Sequence, residues 1–292
     1  MADILTSVFR TFMSQTDVNK DVTVSPHSAC SALLPGDSSV IRSVLLPGDS
    51  SVSSSVLLLG DSSISRSLLL LSAVMAASEL GVRVVFFTQT QIQSLPVSLQ
   101  KCVPSPESLK KIKFSYPRTL GDLLQQVAGL HESQNTSPTP PSLIIVDRLE
   151  GFLGGNHSED QSSAAHLSAL LCDTSSFLTQ ILKQRSPSYA PCRLIASFRS
   201  DVDSEHAGGE SSATDPILDV LDRYFQMRCT LDRDRSYEAA AAGLKELWNV
   251  YLSATGITED ACTKEREDRP AAAPKEWQLS ISPDGSMEFK MA

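Results

Sequence analysis

Short runs of uninterrupted apolar residues, separated by segments long enough for a helix, set what this chain can fold into. Val56–Leu59 (VLLL), Val82–Thr88 (VRVVFFT) and Leu143–Val146 (LIIV) lack the apolar–polar alternation of a strand with one wet face. Strands of this kind are buried on both sides, as in parallel sheets covered by helices. Between and after them, Leu68–Glu79, Thr119–His131 and Ala164–Lys183 carry apolar residues at helical spacing, the last through Leu167, Leu170, Leu171, Phe177, Leu178 and Ile181. Ile112–Tyr116, Arg193–Phe198 and Tyr224–Leu231 read as further strands, and the alanine-rich Tyr237–Leu252 reads as a helix. The alternation predicts an α/β fold with a mostly parallel sheet and helices on both faces. Trp277–Ile281 and Ser286–Lys290 flank Pro283-Asp284-Gly285, a hairpin signal that adds antiparallel strands at one edge.

The chain has 292 residues, 41% of them hydrophobic and 6% aromatic, so aliphatic side chains must fill its core. That length suits one large domain or one domain with extensions. Its formal charge is −9, which excludes general electrostatic binding to nucleic acid and demands a local basic patch for any such contact. The six cysteines show no CxxC spacing, so neither a zinc site nor a disulfide framework is indicated, and free thiols suit a reducing cytosol or nucleus. Met1-Ala2-Asp3-Ile4 does not read as a signal peptide. The most apolar run, Leu68–Ala77, is shorter than the ~20 residues of a membrane span, and no membrane association is expected.

Residues 1–31 are polar and lack sustained periodicity, and a twelve-residue unit then repeats three times: Ala32–Ser43, Val44–Ser55 and Val56–Ser67. Pro35 and Pro47 interrupt the first two copies, where a central strand needs an N–H donor. The third has Leu59 instead and runs into a helix. Residues 1–55 are therefore expected to be a disordered or loosely docked extension, and 56–292 the folded domain, with flexible insertions near 134–142, 200–215 and 256–275.

The third copy ends Gly60-Asp61-Ser62-Ser63-Ile64-Ser65-Arg66-Ser67, after a strand and before a helix, the context in which GxxxxGK[ST] cradles phosphates. Gly60 and Ser67 fit the pattern, Ser65 replaces the second glycine and Arg66 the lysine. A serine at the glycine position must accept strain or open the loop. Arginine keeps the charge but is planar and bulkier. Ser67 can still offer a hydroxyl to magnesium. Two readings stand: a degenerate ATP-binding loop, or a serine-rich turn between strand and helix.

Leu143–Asp147 places a carboxylate at the carboxyl end of an inner strand, where ligands of open α/β sheets sit. Asp147 is a candidate magnesium ligand in the Walker B manner. Val56–Leu59 and Leu143–Val146 are expected side by side, so that Ser67 and Asp147 meet at one magnesium-sized space. Glu150 is a weak candidate for polarising water. After the second core strand, Phe86-Phe87-Thr88-Gln89-Thr90 holds no carboxylate, and Gln89 can position a water but cannot take its proton.

Leu109–Pro117 (LKKIKFSYP), Ser142–Leu153 (SLIIVDRLEGFL), Leu170–Phe177 (LLCDTSSF), Arg223-Tyr224-Phe225, Glu276-Trp277 and Asp284-Gly285 together resemble the SWIM-type zinc-finger-associated proteins, the recombinase-paralogue subunits of the metazoan Shu complex. The resemblance covers roughly 56–290 and implies a RecA-like P-loop core. It also implies a SWIM-domain zinc-finger partner, contact with the strand-exchange recombinase and its paralogues, single-stranded DNA binding with DNA-stimulated ATP hydrolysis, and a nuclear role in homologous recombination. Carried over by position, Gly60–Ser67 is the phosphate loop and Asp147 the Walker B carboxylate. The departures at Ser65 and Arg66 open the alternative of a pseudo-ATPase scaffold. An unrelated P-loop nucleotide kinase would need an arginine-bearing lid, which the sequence does not offer.

For DNA, Lys110, Lys111 and Lys113 lie beside Phe114 and Tyr116, cations next to rings that can stack on bases. The same pattern also fits a solvated face beside a half-buried strand. The terminal Phe289-Lys290-Met291-Ala292 matches a short FxxA pattern for docking on a recombinase.

Overall fold

The computed structural model describes residues 2–11, 55–101, 104–132, 139–154, 157–185, 190–200, 215–234, 246–255 and 275–291. The helices are α1 (Ala2–Thr11), α2 (Ser62–Ser78), α3 (Val97–Lys101), α4 (Pro106–Leu109), α5 (Leu120–Glu132), α6 (Glu150–Leu153), α7 (His157–Arg185) and α8 (Pro216–Leu221). The strands are β1 (Ser55–Leu59), β2 (Val84–Phe87), β3 (Ile112–Ser115), β4 (Leu143–Val146), β5 (Arg193–Phe198), β6 (Met227–Asp234), β7 (Glu246–Ala254), β8 (Lys275–Ile281) and β9 (Met287–Met291).

One nine-stranded sheet runs in the order β3-β2-β4-β5-β1-β6-β7-β8-β9. Strands β3 to β6 pair in parallel and β6 to β9 antiparallel. Every residue of β2, β4 and β5 is buried, because helices cover both faces there. α1, α2 and α4 pack together on one side, and α5, α7 and α8 on the other. The expected α/β architecture with a terminal hairpin is therefore the one the chain adopts. At the hairpin turn, Gly285 donates its N–H to the Ser282 carbonyl and Asp284 accepts from the Ser286 N–H.

Three expectations change. β1 and β4 are not neighbours, since β5 lies between them. Residues 246–252, read as helix, are strand: Trp248, Val250 and Leu252 are buried while Asn249, Tyr251 and Ser253 are half-buried, the two-residue period of a strand. The start of the chain, read as disordered or loosely docked, is helical at Ala2–Thr11 and buries Ile4, Leu5, Val8 and Phe9. Phe9 stacks on Phe289 at 4.6 Å between ring centroids and meets Trp277 at 5.5 Å. Phe289 is thus committed to the core and is no free anchor for a recombinase. The first two repeat copies, but for Ser55, and the insertion segments 134–138, 201–214 and 256–274 lie outside the described residues, as does Ala292.

Among the described residues, no helix is long and apolar enough to cross a membrane, and no His/Cys/Asp/Glu group could hold a metal ion. Cys172, Cys192 and Cys229 are free thiols that burial pushes up to about 11, about 12 and about 12, which makes them inert packing residues.

Candidate functional site

The carboxyl ends of β1, β2, β4 and β5 bring the candidate residues together. β2 and β4 pair with Phe87 opposite Val146, and β4 and β5 with Val146 opposite Ala196. The next residues, Thr88, Asp147 and Ser197, therefore stand side by side. Asp147 is 1% exposed. Its Oδ2 accepts from Thr88 Oγ1 at 2.9 Å and from Arg66 Nε at 2.8 Å, and its Oδ1 accepts from Ser197 Oγ at 3.5 Å. A buried carboxylate needs such partners, since desolvation of an unpaired charge is costly. Asp147 is thus a structural hub rather than a solvent-facing strand end.

Arg66 reaches it from α2, across the end of β5. At this position a P-loop lysine would reach out to phosphate. Here the guanidinium turns inward, its side chain only 25% exposed, and its Nη2 is buried without a hydrogen-bond partner.

From Ser62 on, the segment read as a phosphate loop is helix. Only Gly60 and Asp61 separate β1 from α2, which starts at Ser62, and the Ser65 N–H already donates to the Asp61 carbonyl at 2.9 Å. Ser65 therefore neither strains nor opens a loop, but its hydroxyl is buried and unpartnered. The Asp61 side chain accepts from the Ser63 N–H at 2.8 Å and the Ser63 hydroxyl at 2.6 Å. The Ser63 donors hold the Asp61 carboxyl below its usual range. A carboxylate already occupies the helix end where a phosphate would bind. The Ser67 hydroxyl donates to the Ser63 carbonyl at 3.0 Å, a back-bond within the helix rather than a metal-facing group.

Gly60 is required by the turn. Its φ is +145°, and a Cβ there would lie 2.7 Å from the Leu231 Cβ on β6. The side of the turn where a Cβ would stand is filled by Leu231. Ser62, Ser63, Ile64 and Ser65 form the first helical turn, with Ile64 in the core. The residues at Gly60–Ser67 and Asp147 do not fit ATP with magnesium as they are arranged.

Glu150 opens α6 and accepts from the Arg199 N–H at 3.1 Å, with burial pushing its carboxyl up. Gln89 donates through Nε2 to the carbonyls of Gly151 at 2.9 Å and Arg118 at 3.2 Å, so its amide braces a loop. Sequence reasoning missed Thr88, Ser197 and Arg148. Arg148 has φ +60°, unusual for a non-glycine residue. Its N–H donates to Ser197 Oγ at 2.8 Å and its Nη2 to Thr90 Oγ1 at 2.6 Å, which hold it in place. No local pattern marks these residues, because strand order alone brings them to Asp147.

The basic patch spans β3 and the residues on either side of it, at the far edge of the sheet. Lys110 pairs with Glu107 at 2.7 Å, both well exposed. Phe114 leans on core Phe86 at 5.4 Å between centroids, and Tyr116 is 41% exposed. Of the two rings expected to stack on bases, only Tyr116 is presented.

No protein-family model matches the sequence. The protein named ATPase SWSAP1 from Mus musculus is 32% identical over 221 residues, covering 74% of this chain and 66% of the mouse protein. The one from Homo sapiens is 32% identical over 163 residues, 56% of this chain and 64% of the human protein. Over these stretches the chain is similar to the SWSAP1 proteins. It spans slightly less than two thirds of the length of either relative. Among solved structures, a KaiC-like protein from Pyrococcus horikoshii aligns with TM-score 0.48 and 13% identity, over 81% of this chain and 89% of that one. A second solved structure, an ATPase domain, aligns with TM-score 0.49 and 11% identity, over 81% of this chain and 84% of that one. In this chain the strand–helix turn at Gly60–Asp61 faces the strand-end Asp147, and Arg66 fills the space between them.

Proposed function

We propose that this chain is a RecA-like subunit of a Shu-type assembly in homologous-recombination repair. In this reading it pairs with a SWIM-domain zinc-finger protein, acts on the strand-exchange recombinase and its paralogues in the nucleus, and works as a scaffold without ATP turnover. The similarity to the SWSAP1 ATPases supports the family role. The ion pair between Arg66 and Asp147 carries the loss of turnover, since one contact occupies both the cation and the carboxylate that a nucleotide and its magnesium would need. Gln89 in place of a carboxylate supports the same reading, having no group to accept a proton from water.

Single-stranded DNA binding belongs to the proposal through Lys110, Lys111, Lys113 and Tyr116 on the β3 edge. The exposed Lys110–Glu107 pair is worth little, so Lys110 can exchange its partner for a phosphate.

The relatives' name, ATPase, favours a second reading in which the chain binds ATP with magnesium and hydrolyses it when DNA is present. The two part on one measurement. The chain is purified with its SWIM-domain partner and assayed for ATP binding and hydrolysis with and without single-stranded DNA. The scaffold reading expects no DNA-stimulated turnover and no nucleotide-dependent rise in Tm at millimolar ATP. Turnover that Asp147→Ala abolishes would overturn it. The DNA arm fails if changing Lys110, Lys111 and Lys113 to Ala leaves oligonucleotide affinity intact.

A further inference from the structure

β9 is the last strand of the sheet and pairs on its β8 side alone. At the hairpin the Ser282 N–H donates to the Ser286 carbonyl at 3.0 Å. Hydrogen-bonded and open pairs alternate along an antiparallel ladder. The pairs Ile281–Met287, Leu279–Phe289 and Trp277–Met291 are therefore open ones, and the peptide groups of Met287, Phe289 and Met291 point away from β8. The Met287 N–H does so visibly, donating to Ser98 Oγ on α3 at 2.9 Å. Among the described residues, the outward peptide groups of Phe289 and Met291 meet no hydrogen-bond partner.

An edge of this kind adds a strand from another chain unless something blocks it. β9 has no proline and no bulge, since all five of its residues pair in register with β8. A lone edge lysine guards against pairing, but Lys290 stands two residues from Glu288, and both are exposed. The strand reads Met287-Glu288-Phe289-Lys290-Met291. Read backwards, its apolar positions coincide and its two charges exchange sign. Laid antiparallel on a second copy about Phe289, it sets each Glu288 opposite a Lys290 and each Met287 opposite a Met291.

The hydrogen-bond pattern agrees with that register. The Phe289 pair and the two Met287–Met291 pairs take up the outward peptide groups, while the Met287 N–H stays with Ser98. The Glu288–Lys290 pairs fall on the open positions, where facing Cα atoms are ~4.5 Å apart and side chains come closest. Met291, at 54%, is the most exposed large apolar side chain among the described residues, and the pairing lays it beside Met287 of the other copy. The opposite edge, β3, has no such symmetry: turned about Phe114, it sets Lys113 against Ser115.

We infer that β9 is a self-pairing edge that joins two copies of this chain, antiparallel about Phe289, into one continuous sheet. Exposed ion pairs contribute little singly, so the contacts of Glu288 and Lys290 within one chain do not oppose the exchange. The ladder spans five residues of each chain and α3 closes it at Met287, so the dimer is weak and exchangeable.

The test is sedimentation equilibrium of the full chain over roughly 1–200 μM, where a small interface associates. Wild type is expected to pass from monomer to dimer. Glu288→Lys and Lys290→Glu each set like charges opposite one another at both ends of the ladder, and each should weaken the dimer roughly tenfold. Mixed together, these two variants should associate more tightly than either does alone, because every facing pair is then of opposite sign. Combining both substitutions in one chain should restore wild-type association. Met291→Pro removes an outward N–H that β8 does not use, and should weaken the dimer while leaving the melting temperature of the monomer nearly unchanged. The inference is overturned if wild type stays monomeric throughout, or if its dimer ignores both charge reversals. A mixture that associates no better than its components also sinks it. Should a single reversal lose its cooperative melt, the double variant and Met291→Pro decide.

Discussion

Arg66 Nε donates to Asp147 Oδ2 at 2.8 Å, which ties a cation on the helix after β1 to the carboxylate at the end of β4, two strands away in the sheet. Asp147 is fully buried and Arg66 partly so. Removing one partner leaves the other charge in a poor environment. Arg66→Met should destabilise the fold by about 2–3 kcal/mol, below the full buried-pair value because Thr88 and Ser197 still donate to Asp147. The double variant with Asp147→Asn should cost less than the sum of the two singles, with a coupling of about 1–2 kcal/mol. Urea denaturation of the four proteins checks this, and strict additivity would refute the coupling.

Asp61 caps α2 through the Ser63 N–H. Asp61→Ala should cost about 1 kcal/mol, the usual value of a helix cap. Because the folded state holds this carboxyl below its ordinary range, its contribution is present above the unfolded pKa and fades as pH falls through the folded one. The difference between wild type and Asp61→Ala should therefore be constant from neutral pH to about 5 and shrink below about 4. Chemical denaturation across that range measures it.

Gly60→Ala places a methyl group 2.7 Å from Leu231 Cβ on a backbone with φ +145°. Both the clash and the conformation oppose it, so a loss of about 2–4 kcal/mol is expected. Pairing it with Leu231→Ala should relieve the clash but not the backbone cost. The melting temperatures of the two variants, compared with that of Leu231→Ala alone, separate these contributions.

Phe9→Ala removes a fully buried ring that packs on Phe289 and Trp277. A loss of about 3–5 kcal/mol is expected, the range for a large core side chain. Deleting residues 1–11 should do as much and expose Phe289 to solvent. Thermal unfolding and binding of a hydrophobic dye report the two effects, and an unchanged Tm on deletion would show that α1 adds nothing to the core.

Much of the fold was legible. The LIIV and VVFF runs lack a polar face, and only a sheet covered on both sides can bury them. The hairpin at Pro283–Gly285 was legible from turn chemistry. The α1 helix was not, because the serines and threonines around it hid the spacing of Ile4, Leu5, Val8 and Phe9. β7 was misread because the alanines before it favour helix, whereas Trp248, Val250 and Leu252 alternate with the period of a strand. At the site, Gly60 and Asp147 could be placed from sequence, but the use of Asp61 as a cap and of Ser67 in a back-bond could not.

The sequence by itself determined which segments are inner strands, that Asp147 ends one of them, and that Ser65 and Arg66 stand where a phosphate loop has glycine and lysine. Tertiary structure alone decided that β5 lies between β1 and β4, and with that the register bringing Thr88 and Ser197 to Asp147 and the reach of Arg66 across to it. Apolar content and turn residues act within a few positions along the chain. Strand order is chosen by how two layers of helices pack over the whole sheet, and no local pattern encodes it.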